Sequence, residues 1–120
     1  MKILSFGEEA GRQIDHYGSR NLLFSRIAHL TGPTHVSCMI LGENWLVGYH
    51  QATMPQLFLV VSGRGWVRGE PTDRHPIHPG QAAYWEKGEL HEAGTDTGLT
   101  AIVIEIEAQH FDPADFMAQL

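Results

Sequence analysis

The feature that most constrains the fold of this chain is a series of short apolar stretches separated by turns rich in glycine and proline. The stretches are rich in β-branched and aromatic residues, and their spacing is typical of a β-sandwich or β-barrel. The pattern therefore predicts an all-β domain of seven or eight strands. The stretches span residues 21–30, 35–41, 45–52, 56–61, 65–69, 81–85 and 99–107.

Two of these stretches carry more apolar surface than a half-exposed strand needs. Residues 57–61 are apolar at every position, and residues 101–107 are apolar on one face and partly on the other. A strand of this kind is covered on both sides in a folded protein. We expect a second sheet or a dimer partner to provide that cover.

The length of 120 residues predicts one domain spanning positions 1–120. Residues 1–20 are polar enough to form an N-terminal arm, and residues 21–108 hold the predicted barrel. The tail at 112–120 is predicted to be a short helix, because Asp112 can cap it and Pro113 suits its first turn.

Composition excludes several classes of partner. Eight Lys and Arg against 14 Asp and Glu give a net charge of −6, which argues against nucleic acid. Cys38 is the only cysteine, and neither a signal peptide nor a membrane-spanning stretch is evident, so a cytoplasmic location without membrane contact is expected. The Gly-x-Gly of SGRGWVRG lies in a tight hairpin with no helix after it, so no nucleotide cofactor is expected.

The segment from Gly48 to Thr95 resembles the two conserved stretches of the cupin superfamily laid end to end. The first stretch runs from a glycine through a His-x-His pair and a glutamate to a hydrophobic strand that closes on glycine. Ala52 stands where the second histidine is usual, and Gln56 stands where the glutamate is usual. The matching positions are Gly48, His50, the strand from Leu57 to Val61, and Gly63.

The second stretch runs from Pro-Gly through a short strand to a Pro-x-Gly-x-x-His turn. Glu86 occupies the place of the usual proline, and Thr95 replaces a late asparagine. The matching positions are Pro79, Gly80, Gly88 and His91.

The resemblance implies a single jelly-roll barrel of cupin type that binds a small molecule and forms a homodimer. Members of the superfamily usually hold a divalent metal through three histidines and one glutamate. The resemblance therefore implies an incomplete site for Zn, Fe, Ni or Mn made by His50, Gln56 and His91. The alternative that it implies is a metal-dependent enzyme of oxygenase or isomerase type acting on a small organic substrate.

Strand alternation adds an independent argument about the site. If His50 points into the barrel, so does Ala52, which leaves a gap where an imidazole would stand. Two imidazoles and one amide make a weak metal site, so the histidines can equally be a hydrogen-bonded pair that lines a metal-free pocket. Phe58 and Tyr84 are predicted to line that pocket, and Glu89 is a further candidate because it shares a face with His91 in an extended segment. These residues do not identify a catalytic group.

Overall fold

A computed structural model describes residues 1–70 and 73–120, which fold into two facing antiparallel sheets and a separate hairpin. The six-stranded sheet has the order β12-β1-β9-β6-β11-β4, the four-stranded sheet has the order β5-β10-β7-β8, and β2 pairs with β3. The strands are β1 Lys2–Ser5, β2 Arg12–Ile14, β3 Leu22–Phe24, β4 Thr34–Leu41, β5 Leu46–Gln51, β6 Gln56–Gly63, β7 Gly65–Arg68, β8 His75–Ile77, β9 Gln81–Trp85, β10 Leu90–Gly94, β11 Leu99–Ile106 and β12 Ala118–Gln119.

The main core lies between the inner faces of the two sheets. Phe58 and Trp85 from the six-stranded sheet pack there with Val67, Ile77 and Ala93 from the four-stranded sheet. Among the described residues no strand of one sheet pairs with a strand of the other, so the predicted jelly-roll barrel is not closed by hydrogen bonds between its sheets. The chain instead turns at residues 42–45 from an edge strand of one sheet into an edge strand of the other.

A second apolar cluster covers the outer face of the six-stranded sheet. Leu57 and Leu59 of β6 are buried there together with Leu4 and Met117, and Phe6, Ile27 and Phe111 lie against them. Phe58 and Val60 of the same strand are buried on the inner face. The prediction of a strand covered on both faces is therefore confirmed for residues 57–60, whereas Val61 is 48% exposed.

Both chain ends differ from their predictions. Residues 2–5 of the predicted arm form β1, between β9 and β12, because Ile3 can be buried on the inner face while Leu4 is buried on the outer one. The predicted helix at 112–120 is only a turn at Pro113–Asp115, which Asp112 caps by accepting a hydrogen bond from the Ala114 N–H. Residues 118 and 119 then pair with β1, whose free edge offers backbone hydrogen bonds that a helical tail would leave unmade.

No helix among the described residues is long and apolar enough to cross a membrane.

Backbone geometry explains three of the glycines in the cupin-like stretches. Gly63, Gly80 and Gly88 have φ values of 75°, 88° and 91°, a region that residues with a side chain rarely adopt. At Gly63 a Cβ atom would also lie 2.2 Å from the carbonyl oxygen of Gly98. A Cβ at Gly48, in contrast, would meet no atom within 4 Å. The first glycine of the pattern is therefore not required by packing.

We predict that Gly63→Ala lowers the free energy of unfolding by at least about 2 kcal/mol, because it combines a strained φ with a backbone clash. The matched variant Gly48→Ala should change it by less than about 1 kcal/mol. Urea titration followed by tryptophan fluorescence measures both values. Equal unfolding midpoints for the two variants would contradict this account of Gly63.

Candidate functional site

Two histidines from neighbouring strands lie side by side at one end of the space between the sheets. His50 on β5 and His91 on β10 are directly paired across the antiparallel ladder. Their ring centroids are 4.2 Å apart and the rings are inclined by 54°. His91 is buried, with 2% of its surface exposed, whereas His50 is open to solvent. The pair therefore has one side in the core and one side accessible to a ligand.

A β-bulge in β5 positions His50. His91 pairs with His50, but Ala93, two residues further along β10, pairs with Val47, three residues back along β5. In a regular strand, residues three apart point to opposite faces. The extra residue at positions 48 and 49 allows Val47 to pack on the inner core while His50 lies beside His91.

Backbone carbonyls select the tautomer of both rings. His50 Nδ1 lies 2.6 Å from the carbonyl oxygen of Gly48, and His91 Nδ1 lies 3.5 Å from that of Glu89. Because a carbonyl oxygen only accepts, each Nδ1 carries the proton, and each Nε2 has a free lone pair in the neutral ring. His91 Nε2 is buried and has no hydrogen-bond partner among the described residues. The site thus presents two imidazole acceptors.

The Trp85 ring packs against the His91 ring of this pair. The two rings stack with a centroid distance of 4.6 Å and an interplanar angle of 30°. Burial, and then the nearby His50, lower the pKa of His91 below its usual value. His91 is therefore neutral at physiological pH, which keeps its Nε2 lone pair available.

Gln56 and Ala52 stand at the positions where the resemblance to cupins implies the two other metal ligands. Gln56 begins β6 as the direct partner of Trp85 and is 8% exposed, so its side chain lies on the inner face with Trp85 and Phe58. Ala52 follows β5 and is 5% exposed. A methyl group therefore stands where an imidazole is usual, and an amide stands where a carboxylate is usual.

Of the two residues predicted to line the pocket, only Phe58 is on the correct face. The Phe58 ring packs against Trp85 at a centroid distance of 6.2 Å. Tyr84 belongs to the outer cluster and packs against Phe111 at 5.7 Å, so its predicted place in the pocket is wrong. Neighbouring residues of a strand point to opposite faces, and Trp85 takes the inner one. Because β9 is apolar on both faces, its sequence alone did not distinguish Tyr84 from Trp85.

The Glu89 carboxylate forms hydrogen bonds with groups other than the two histidine rings. It accepts a hydrogen bond of 2.7 Å from the amino group of Met1 and one of 2.9 Å from the Glu86 N–H. Burial acts to raise the pKa of Glu89, but these bonds outweigh it and leave the pKa lowered. Glu89 is thus an ionised residue that closes the turn before β10.

The donor set does not suit a metal held by the protein alone. No group of three or more His, Cys, Asp or Glu that could hold a metal ion occurs within residues 1–70 and 73–120. Protein metal sites of the zinc type use three or four protein ligands. Two imidazoles and one amide leave most of the coordination sphere to other ligands.

Comparison with solved structures identifies the architecture. A cupin superfamily protein from Desulfitobacterium hafniense matches with a TM-score of 0.58 and 11% identity, over 73% of this chain and 80% of that chain. A Cupin 2 conserved barrel domain protein from Salinispora arenicola matches with a TM-score of 0.58 and 19% identity, over 64% and 66% of the two chains. The chain has the cupin fold.

One further similar structure has a functional name. A protein from Thermotoga maritima described as a predicted oxalate decarboxylase matches with a TM-score of 0.53 and 23% identity, over 59% of this chain and 64% of that chain. No protein-family model and no curated protein matches the sequence. At these identities the likeness concerns the fold, and a shared fold does not imply a shared function.

The lowered pKa of His91 predicts a pH-dependent stability. The unfolded chain binds a proton at His91 at a higher pH than the folded chain does, so the free energy of unfolding should fall as the pH drops below the usual histidine pKa of 6.5. His91→Phe keeps a ring on Trp85 and should remove part of this decrease. The exposed control His75→Gln should retain it. Chemical denaturation at several pH values between about 5 and 8 measures the difference, and identical pH profiles for His91→Phe and the wild type would contradict the prediction.

Proposed function

We propose that this cupin binds a small organic ligand at the His50 and His91 pair. The observation that supports the proposal most directly is the pair of neighbouring imidazoles whose Nδ1 atoms bond to carbonyls and whose Nε2 atoms are free acceptors. One of these acceptors, His91 Nε2, is buried and has no hydrogen-bond partner in the described part of the chain. An unsatisfied buried polar atom costs about 1–3 kcal/mol, which a ligand that donates a hydrogen bond recovers.

The surroundings of the pair define the chemical class of the ligand. The Nε2 atoms need a donor such as a hydroxyl, an amide N–H or the O–H of a carboxylic acid. Trp85 and Phe58 are buried behind His91, and the nearby Gln56 amide, which is 8% exposed, can both donate and accept. A small polar molecule that donates a hydrogen bond fits these groups best.

The second candidate function is a metal-dependent cupin enzyme of oxygenase or isomerase type. The neutral tautomers favour it, because a metal-binding imidazole uses the free nitrogen while its other nitrogen bonds to a carbonyl or carboxylate. A bound divalent metal would act as a Lewis acid, with His50 and His91 as ligands and Gln56 as a weaker oxygen donor. Water or substrate would have to provide the remaining ligands.

Metal content and ligand-dependent stability together distinguish the two functions. Protein purified without an affinity tag or chelator should contain well under one transition metal per chain by elemental analysis. A panel of small hydroxy acids, amides and phenols, tested without added metal, should include compounds that raise the melting temperature, because a ligand that binds only the folded state stabilises it.

Variants connect any such stabilisation to the site. His91→Phe and His50→Ala should abolish the shift, and His75→Gln should preserve it. About one metal per chain, lost in both site variants, would replace the proposal with the enzyme. A ligand that still stabilises both site variants would exclude the histidine pair as its binding site.

Restoring the two missing ligands provides a gain-of-function prediction. The double variant Ala52→His, Gln56→Glu should bind Zn²⁺ or Ni²⁺ at about one ion per chain, because it completes a set of three imidazoles and one carboxylate. In the control, Thr53→His with Gln56→Glu, the new imidazole replaces an exposed side chain and binding should remain weak. Isothermal titration calorimetry measures both variants, and equal affinities would show that Ala52 does not occupy a ligand position.

A further inference from the structure

The β2–β3 hairpin and the segment around the turn at Pro113–Asp115 form the walls of an open cleft outside the two large sheets. The hairpin strands pair with each other and with neither large sheet. The volume of the cleft is about 700 Å³, which lies in the range of small-molecule pockets. None of the described residues that line it belongs to the histidine pair or to the strands that carry that pair. We call this space the hairpin cleft.

Strand pairing places one cationic and three apolar side chains on the same face of the hairpin. Arg12 pairs with Phe24, and Ile14 pairs with Leu22. Directly opposed residues of an antiparallel pair share a face, and all four of these residues line the hairpin cleft. Leu23 alternates to the other face, away from the cleft. The wall is therefore an apolar surface with a guanidinium at one end.

A second arginine extends from this wall to the opposite one. Arg26 follows Phe24 by two residues and also lines the cleft. Its guanidinium carbon lies 5.8 Å from the centroid of the Phe116 ring. Within residues 1–70 and 73–120, neither Arg12 nor Arg26 belongs to an ion pair. Two guanidiniums without a carboxylate partner thus border the same space as two exposed phenylalanine rings.

The hairpin cleft is cationic although the chain as a whole is acidic. Residues 10–26 contain three arginines and one aspartate, whereas the whole chain has a net charge of −6. Among the charged residues that line the cleft, Asp115 opposes Arg12 and Arg26, so positive charge is in excess. A guanidinium can bind a carboxylate through two parallel hydrogen bonds, which makes it specific for planar anions. The charge of the cleft therefore selects an anion.

Tyr17 is an aromatic residue with a strained backbone at the rim of the cleft. Its φ of 61° and ψ of 25° lie in the left-handed region, which is unfavourable for a residue with a large side chain. The side chain is fully exposed, and its ring meets that of His16 edge-on at a centroid distance of 6.4 Å. Backbone strain of this kind is concentrated at ligand-binding sites. A flat ligand can pack on this ring.

We propose that the hairpin cleft binds a small aromatic carboxylate, at a second site separate from the histidine pair. The carboxylate pairs with Arg12 and Arg26, and the aromatic body packs on Phe24 and Phe116. An ionised carboxylate has no proton to donate, so by itself it does not suit the acceptor nitrogens of the histidine pair. The two sites therefore select different ligands, and the proposal does not depend on the function proposed above.

Isothermal titration calorimetry with matched probes tests the chemistry of the ligand. At neutral pH, β-naphthoate should bind the full chain saturably, at one molecule per chain and with a dissociation constant below about 1 mM. The dissociation constant of β-naphthamide should be at least about tenfold higher, because the amide keeps the rings but lacks the charge. That of acetate should also be at least about tenfold higher, because acetate keeps the charge but lacks the rings.

Three arginine variants with the same change of charge test the position of the site. Arg12→Gln and Arg26→Gln should each raise the dissociation constant of β-naphthoate at least about tenfold. The control Arg20→Gln alters an exposed arginine of the same segment that does not line the cleft, and it should change the constant less than about twofold. Asp115→Asn should lower the constant about twofold, because it removes a negative charge from the cleft. All four side chains are exposed, so circular dichroism should show the wild-type fold.

The histidine variant separates this site from the other one. His91→Phe should bind β-naphthoate with the wild-type affinity, whereas a loss of binding would assign the anion to the histidine pair and overturn the proposal. Absence of saturable binding, equal affinities for β-naphthoate and β-naphthamide, or wild-type affinity in Arg12→Gln and Arg26→Gln would also overturn it. Equal weakening in Arg20→Gln would overturn it as well, because the anion would then respond only to the overall charge of the segment.

Discussion

The stacking of Trp85 on His91 is the contact on which the rest of the site depends. Trp85 belongs to the six-stranded sheet and His91 to the four-stranded sheet, so the stacked rings join the two sheets. The same contact buries the imidazole, and this burial is the largest cause of its lowered pKa. Through the pairing of β10 with β5, the buried ring then has His50 as its neighbour. The contact between the two sheets, the neutral state of His91 and the position of His50 beside it therefore all involve the stacked Trp85 and His91 rings.

The site has the backbone features of the cupin-like pattern, but two of its donor positions carry other residues than that pattern implies. The bulge in β5 and the turn glycines are features of the backbone, and they hold the histidine pair whatever occupies positions 52 and 56. Those two positions decide the chemistry. An alanine and a glutamine leave those two positions without an imidazole and without a carboxylate. Hydrogen bonding to a small molecule needs only what remains, whereas a metal centre needs ligands from outside the chain.

The apolar surface of the six-stranded sheet exceeds what the chain covers by itself. Segments near both ends bury its β1, β9 and β6 side, through residues such as Phe6, Phe111 and Met117. None of the described segments covers the outer row of β4 to the same extent. Exposed apolar surface of this kind usually marks an interaction site. The β2–β3 hairpin has exposed apolar side chains as well, at Leu22, Leu23 and Phe24.

The sequence by itself determined the all-β class, the apolar character of both faces of β6 and the cupin-like order of glycines and histidines. These follow from local rules, because side chains alternate along a strand and a positive φ selects glycine. Only the tertiary structure decided that Trp85 and not Tyr84 faces the site, that Glu89 bonds to Met1, and that the tail forms β12 instead of a helix. In each case the local pattern allowed both outcomes. The choice was made by contacts between residues far apart in the chain, which periodicity within one segment does not encode.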